Sequence, residues 1–178
     1  MQIRKTCECD IATVMDIFDT ARAFMRAHGN ATQWTVGSPS EEMLRADIAA
    51  GTSRVCCVDG RVVATFAFVP GIDPTYVEID GAWRSDAPYC AIHRVASDGS
   101  VHGVSNAVFE YCAERSDYLR IDTHADNAPM QGAIASSGLP SAASSISPMA
   151  RRAWPLIGCA ESKVGPLIKR VDMCKGKT

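Results

Sequence analysis

Apolar residues recur at helical spacing in the first part of the chain. After Asp10 they stand three or four positions apart, and Gly29 follows them: Ile11, Val14, Ile17, Phe18, Ala21 and Met25. This spacing puts an apolar stripe on one face of a helix, which we expect over residues 10–28. Ser38-Pro39-Ser40-Glu41 then offers an N-cap, a proline at the first helical position and a glutamate placed for a capping box. A second helix is predicted from there to near Gly51.

Runs of β-branched and aromatic residues between turn residues predict strands. A short strand opens at Ile3, and residues 54–59 and 61–69 flank Asp59-Gly60, a typical two-residue hairpin turn. The first half of the chain is therefore predicted to hold one short strand, two helices and then a β-hairpin.

The second half alternates strands and helices. Residues 89–96 predict a strand, and the apolar spacing after Gly103 predicts a third helix. Residues 118–123 predict a further strand, and the stretch from Asn127 to Gly138 a fourth helix. The resulting order, β-α-α-β-β-β-α-β-α, predicts an α/β fold with a mixed central sheet flanked by helices.

Composition narrows the class of protein. With 178 residues, 47% of them hydrophobic and 21% charged, the chain suits one compact globular domain. A formal net charge of −2 gives no general attraction to nucleic acid or to an anionic membrane. No apolar run approaches the roughly 20 residues of a membrane span, and the N-terminus lacks the apolar stretch of a signal peptide. We expect a soluble, cytoplasmic protein.

The eight cysteines fit neither a zinc site nor a disulfide framework. Cys7 and Cys9 are separated by one residue, Cys56 and Cys57 are adjacent, and no C-x-x-C pair occurs. The sequence therefore predicts reduced thiols and no metal.

A loop between the strand at 89–96 and the third helix carries the candidate chemistry. A loop of small residues that opens a helix presents unpaired backbone N–H groups and a positive dipole end to an anion. Here the chain resembles the GNAT superfamily of acyl-CoA-dependent N-acyltransferases, whose phosphate loop follows Gln/Arg-x-x-Gly-x-Gly/Ala. Gly103 keeps the family residue, Ser100 replaces the basic or amide residue, and Ser105 replaces the last small one. The order of elements, Asn127 and Gly138-Leu139 also match, so the resemblance covers about residues 1–139.

The resemblance implies acetyl-CoA as co-substrate and a set of residues that hold it. The backbone of Val95 and Ala96 is expected to pair with the pantetheine arm, and Asn127 and Gln131 to border the coenzyme on the other side. The phosphate loop is expected to hold the pyrophosphate through Ser100, Val101, His102, Gly103, Val104 and Ser105. Without the resemblance, a nucleotide-binding regulator of another α/β type would explain the loop nearly as well.

The resemblance also implies how an acyl group is transferred to an amine. His93 is expected to take the amine proton directly or through water, and the Val95 amide to stabilise the oxyanion. Many family members place a tyrosine acid where this chain has Ile134, so His124, Tyr89 or solvent remain as alternatives. Four aromatic residues are expected either to line an acceptor pocket or to fill the core: Trp34, Tyr76, Trp83 and Tyr89.

The segment after residue 139 departs from the family. It contains prolines and small polar residues where a two-stranded hairpin is expected, so we divide the chain into a GNAT-like domain, 1–139, and an atypical tail, 140–178. In a shifted reading frame, permitted codons for Ala142 to Pro155 include Gly-Ile-Ile-Tyr-Leu-Ala-Asp-Gly-Thr-Pro-Arg-Leu-Ala, which is a strand, a turn and a strand. A frameshift near residue 140, natural or introduced in cloning, would explain the tail. A divergent tail that is helical, disordered or paired with another subunit is the alternative.

The expected function is N-acetyl transfer from acetyl-CoA to an amine, with a small molecule or a protein N-terminus as acceptor. The alternative is a non-catalytic CoA-binding or interaction module with a degenerate active site. A sheet edge left by a lost hairpin would invite a second copy, so a homodimer is also expected.

Overall fold

The computed structural model describes residues 1–72 and 87–137, and the backbone of three short strands beyond them. Two compact units are present: Met1–Phe68 with His93–Val108, and Val69–Ile92 with Phe109–Thr178. The strands are β1 (Gln2–Lys5), β2 (Ser53–Val58), β3 (Arg61–Pro70), β4 (Cys90–Ser97), β5 (Tyr118–Asp122), β6 (Ser141–Ala142), β7 (Ile157–Ala160) and β8 (Arg170–Asp172). The helices are α1 (Ile11–Ala27), α2 (Glu41–Ala49), α3 (Val104–Ala113) and α4 (Ala128–Ser136). The predicted order of elements is confirmed through α4.

The first unit is built on antiparallel pairing of β1 with β2 and of β2 with β3. The predicted hairpin turn is present, with Asp59 at φ 51° and Gly60 at φ 78°. Two residues with positive φ are what the tightest hairpin turns require, and the Asp-Gly pair supplies them.

The apolar stripe of α1 packs into the core of this unit. Ile11, Val14, Ile17 and Phe18 are buried together with Leu44 of α2 and Val55 of β2. The helix occupies nearly the predicted residues, because a stripe of apolar side chains at this spacing can be buried only in helical conformation.

The start of α2 differs from the prediction. The cap is Ser40, whose side-chain oxygen accepts a hydrogen bond from the Met43 N–H at 3.2 Å, and the helix begins at Glu41. Ser38 and Pro39 therefore precede the helix. The Ser-Pro-Ser sequence contains two candidate caps, and the side-chain hydrogen bond decides between them.

The interpretation of all cysteines as reduced thiols is wrong for one pair. Cys7 and Cys9 form a disulfide, with Cα atoms 5.3 Å apart. The chain turns into a short 3-10 segment at Glu8–Asp10, which brings the two side chains together. Cys56 remains a thiol, and burial together with the adjacent Cys57 raises its pKa to about 12. It is therefore an unreactive core residue.

The second unit contains a parallel pairing. Cys90, Ala91 and Ile92 of β4 lie opposite Leu119, Arg120 and Ile121 of β5. Parallel and antiparallel pairs together give the mixed α/β architecture that the sequence predicts. In the described part of the chain, no helix is long and apolar enough to cross a membrane.

Three short strands that the sequence did not predict follow α4 in this unit. β5 pairs with β8 in parallel and with β7 in antiparallel orientation, and β6 pairs with β7. Gly138 and Leu139, which match the family pattern, lie outside the described residues.

Candidate functional site

The carboxyl half of β4 has an irregular backbone at Arg94. This residue has φ 53°, in the left-handed region that non-glycine residues rarely occupy. His93, Arg94 and Val95 are all partly exposed, whereas an ordinary strand would alternate buried and exposed positions. The irregularity therefore lies between the predicted base and the predicted oxyanion donor. No glycine marks this position, so the sequence contains no local signal of the irregularity.

An ion pair holds Arg94 to α2. Nη2 of Arg94 lies 2.6 Å from Oδ2 of Asp47, and both side chains are less than one-fifth exposed. Asp47 also accepts a hydrogen bond from the Thr52 hydroxyl at 3.3 Å. A partly buried pair with a second hydrogen bond is better fixed than a surface pair, so it ties the irregular part of β4 to its neighbours.

The predicted phosphate loop runs from the end of β4 into α3. The Asp98 N–H donates to the Val63 carbonyl at 2.9 Å, which joins the start of the loop to β3. Gly99 and Gly103 have φ values of 77° and 79°, and the space that a side chain would take at either glycine is open. Val104 is buried and anchors the first turn of α3, whereas Ser100, His102 and Gly103 are exposed. The loop is thus joined to β3 at its start and to the core at Val104, with exposed residues between these two points.

Ser100, the first residue of the predicted phosphate loop, forms a hydrogen-bonded triad with Asp98 and Arg61. The N–H and hydroxyl of Ser100 both donate to Oδ1 of Asp98, at 2.8 and 2.6 Å. Arg61, the first residue of β3, donates to Oδ2 of Asp98 at 3.0 Å and to the Ser100 hydroxyl oxygen at 2.8 Å. Although partial burial acts to raise it, the bonds from Ser100 and the charge of Arg61 hold the pKa of Asp98 below its ordinary value.

Sequence reasoning did not find Arg61. It lies 39 residues before Ser100 in the chain, and only the position of β3 brings it to the loop. The sequence does show that Arg61 directly follows the Asp59-Gly60 turn and therefore begins the second strand of the hairpin. It does not show which loop lies beside that end of the strand.

In the second unit, Tyr89 belongs to a buried cluster. The guanidinium of Arg120 lies 3.8 Å from the centre of the Tyr89 ring, and Tyr118 contacts Tyr89 edge to face. All three residues are less than one-tenth exposed. One face of Tyr89 is therefore covered by a cation, and its predicted role as an acceptor contact or an acid remains a prediction.

Asn127 and Gln131 have structural contacts within the same unit. Oδ1 of Asn127 accepts a hydrogen bond from the Met130 N–H at 3.1 Å, so Asn127 caps α4, the helix that the sequence predicts to begin there. The side-chain amide of Gln131 donates to the carbonyls of His124 and Ala125, at 3.1 and 2.7 Å. These bonds fix the turn before α4, and contact of either residue with a coenzyme stays a prediction.

The remaining candidates are placed differently. Ile134 is 1% exposed, so the position at which the resemblance leads us to expect a tyrosine belongs here to the hydrophobic core. Trp34 is also buried and contacts Phe18 edge to face at 5.5 Å between ring centres, which gives it a packing role. Tyr76 and Trp83 lie outside the described residues.

Predicted site residues thus fall into two sets. His93, Val95, Ala96 and the loop from Ser100 to Ser105 lie on one continuous strand, loop and helix of the first unit. Tyr89, Asn127 and Gln131 belong to the second unit.

One cluster of potential metal ligands occurs in the described residues: Cys7, Cys9 and Asp10. Arg4 donates to both oxygens of the Asp10 carboxylate, at 2.6 and 2.8 Å. The carboxylate is therefore already paired with a cation, and the disulfide removes both thiolates. This arrangement opposes a metal ion at that position.

Comparison with solved structures agrees with the arrangement of strands and helices. A GNAT-family acetyltransferase from Streptococcus agalactiae 2603 matches with a TM-score of 0.72 and 25% sequence identity, over 80% of this chain and 87% of that one. The fold is GNAT-like. A GNAT-family acetyltransferase from Listeria monocytogenes 4b F2365 matches with a TM-score of 0.63 and 11% identity, over 88% of this chain and 91% of that one.

A ribosomal-protein-alanine N-acetyltransferase from Brucella melitensis also shares the GNAT-like fold. Its TM-score is 0.54 at 17% identity, over 82% of this chain and 88% of that one. No protein-family model and no curated protein matches the chain. The structural neighbours are thus GNAT-family acetyltransferases, and the likeness resides in backbone architecture more than in side chains.

Proposed function

We propose that the chain is an N-acetyltransferase that moves an acetyl group from acetyl-CoA to an amine. The loop that begins α3 is the observation that carries the proposal. Its two glycines have left-handed backbone, Ser100, His102 and Gly103 are exposed, and it opens a helix within a GNAT-like fold. These are the features that suit a backbone cradle for phosphate groups.

Each step of the transfer has a candidate group in this chain. His93 accepts the proton of the attacking amine, directly or through a water molecule, because the histidine side chain ordinarily titrates near neutral pH. The N–H of Val95 donates to the oxyanion that forms when the amine attacks the thioester carbon. The left-handed backbone of Arg94 lies directly before this amide, at the point where β4 departs from regular strand geometry.

The departing thiolate needs no dedicated acid. A thiolate is a modest base and leaves more readily than an alkoxide or amide ion. The buried side chain of Ile134 supplies no proton. We therefore assign protonation of the thiolate to solvent, with His124 and Tyr89 as the side-chain alternatives.

The proposal is tested first by measuring acetyl-CoA binding and then by measuring the release of free thiol from acetyl-CoA. Acetyl-CoA is expected to raise the melting temperature, and a panel of amines and peptide N-termini is expected to include an acceptor that releases free CoA. His93→Gln should lower kcat about a hundredfold while leaving acetyl-CoA affinity unchanged. His28→Gln, at an exposed histidine directly after α1, is the matched control. Absence of acetyl-CoA binding by the wild-type chain would refute the proposal.

The second candidate function is a non-catalytic CoA-binding module. Two observations favour it: Ile134 is buried at the position where the resemblance implies a tyrosine acid, and Ser100 is hydrogen-bonded to Asp98. Acetyl-CoA binding without turnover of any acceptor would support this alternative over the enzyme. A homodimer, and an acceptor that is either a small-molecule amine or a protein N-terminus, also remain proposals.

A further inference from the structure

The phosphate loop contains no lysine or arginine in its own sequence. Ser100 stands where the resemblance leads us to expect a basic or amide side chain, and Asp98 brings a negative charge to the same turn. A carboxylate at this position repels phosphate groups unless another side chain compensates for it.

Arg61 brings a positive charge to this position from β3. Its guanidinium lies 2.8 Å from the Ser100 hydroxyl oxygen and 3.0 Å from Oδ2 of Asp98. The Arg61 side chain is 61% exposed, so it is accessible to a ligand while its position is fixed by two bonds. These described contacts use two of the five N–H donors of a guanidinium, and the others suit phosphate oxygens.

We infer that Arg61 is the phosphate-binding cation of this loop and contacts a phosphate group of coenzyme A. The inference rests on the proposed function, because it assigns a residue to the same coenzyme site. Asp98 and Ser100 are positioning residues: they hold the guanidinium beside the exposed backbone of the loop. The family pattern places a basic or amide side chain at the position of Ser100, and in this chain Arg61 of β3 provides the basic side chain instead.

Calorimetric titration of the full chain tests the inference. The ligands are coenzyme A, 3′-dephospho-coenzyme A and pantetheine, which lacks phosphate groups. The variants are Arg61→Gln, Arg61→Lys and Asp98→Asn. Arg45→Gln is the matched control, since Arg45 is 51% exposed and is also paired with carboxylates, Glu8 and Glu41, within the first unit.

Arg61→Gln should weaken coenzyme A binding about tenfold or more, because a charge-assisted contact to phosphate is lost. Arg61→Lys should retain part of the affinity. Asp98→Asn should lower the affinity less than Arg61→Gln does, because the asparagine side-chain oxygen can still accept a hydrogen bond from Arg61. Pantetheine binding and the Arg45→Gln control should match the wild type. If Arg61→Gln loses as much affinity for 3′-dephospho-coenzyme A as for coenzyme A, the contact is with the pyrophosphate. If it loses affinity for coenzyme A alone, the contact is with the 3′-phosphate.

Two results would overturn the inference while leaving the proposed function intact. One is wild-type coenzyme A affinity in Arg61→Gln. The other is an equal loss of pantetheine affinity in Arg61→Gln and Asp98→Asn, which would mean that the triad only maintains the shape of the loop. If the wild-type chain binds no coenzyme A, the proposed function fails first and the inference fails with it.

Discussion

At the scale of single residues, Arg94 combines an unfavourable backbone with a favourable side-chain contact. A left-handed non-glycine residue costs on the order of 1 kcal/mol, and the ion pair with Asp47 offsets that cost. Asp47→Asn should therefore lower the free energy of unfolding by about 2 kcal/mol, as measured by urea denaturation. If Val95 is the oxyanion donor, the same variant should lower kcat more than it raises KM.

Glu41→Gln is the control for this variant. It also removes a carboxylate of α2 from an ion pair, but Glu41 and its partner Arg45 are both more than half exposed. Exposed pairs contribute little, so this variant should change stability much less. Equal effects of Asp47→Asn and Glu41→Gln would contradict the role given to the Arg94 contact.

The sequence predicts only some of these residues. Gly103 can be found from the sequence because a glycine in a loop directly before a helix is a local pattern, typical of a close backbone approach to an anion. The conformation of Arg94 and the arrival of Arg61 at Ser100 depend on how β3 and α2 lie beside β4 within the first unit. Contacts between residues tens of positions apart leave no local pattern, so they required the structure.

At the scale of elements, the pair Arg4–Asp10 joins β1 to the start of α1. The side chain of Asp10 is 7% exposed and accepts two bonds from Arg4 and one from the Cys7 N–H. The hydrogen bond from Arg4 is the main cause that lowers the pKa of Asp10 below its ordinary value, against the opposing effect of burial. The ionised carboxylate is therefore a stabilising link between two elements.

This link predicts a pH dependence of stability. A carboxyl group whose pKa is lowered by folding stabilises the native state above the unfolded value of about 3.9, and the contribution is lost as pH falls through the folded value. Asp10→Asn should therefore be less stable than the wild type at pH 7, by about 1–2 kcal/mol, and the difference should shrink towards pH 3. Urea unfolding at both pH values measures this.

Asp16→Asn provides the comparison for Asp10→Asn, because Asp16 is an exposed carboxylate of α1. It should have little effect at pH 7. A difference between Asp10→Asn and wild type that stays constant from pH 7 to pH 3 would show that the link does not depend on ionisation.

Helices and strands differ in how well their limits can be predicted. The apolar stripe of α1 determines which face of the helix is buried, and Asp59-Gly60 determines where the hairpin turns. Both could be predicted because each pattern is compatible with only one local structure. The predicted cap of α2 is misplaced by two residues because Ser38 and Ser40 are both suitable caps. The strands after α4 are two to four residues long, too short for an alternating pattern to be detected.

At the scale of the whole molecule, the segment after residue 139 separates this chain from the family pattern. β5 pairs with both β7 and β8 in the second unit. The strands that cover this edge of the sheet are short, and β7 is antiparallel to β5 whereas β8 is parallel to it. A regular hairpin would cover it with a longer antiparallel ladder. A frameshift near residue 140 would replace such a hairpin with the present sequence.

The frameshift hypothesis predicts what the coding DNA contains. Read one base out of frame from about codon 140, it should encode an alternating strand, an Asp-Gly turn and a second strand, with no early stop codon. A chain made from that reading should melt at a higher temperature than the present chain, because a continuous ladder satisfies more backbone hydrogen bonds of the sheet edge. A chain of the same length with the shifted segment scrambled is the control. Shifted codons that encode no hairpin, or a restored chain no more stable than the scrambled one, would show that the tail is a true feature of this protein.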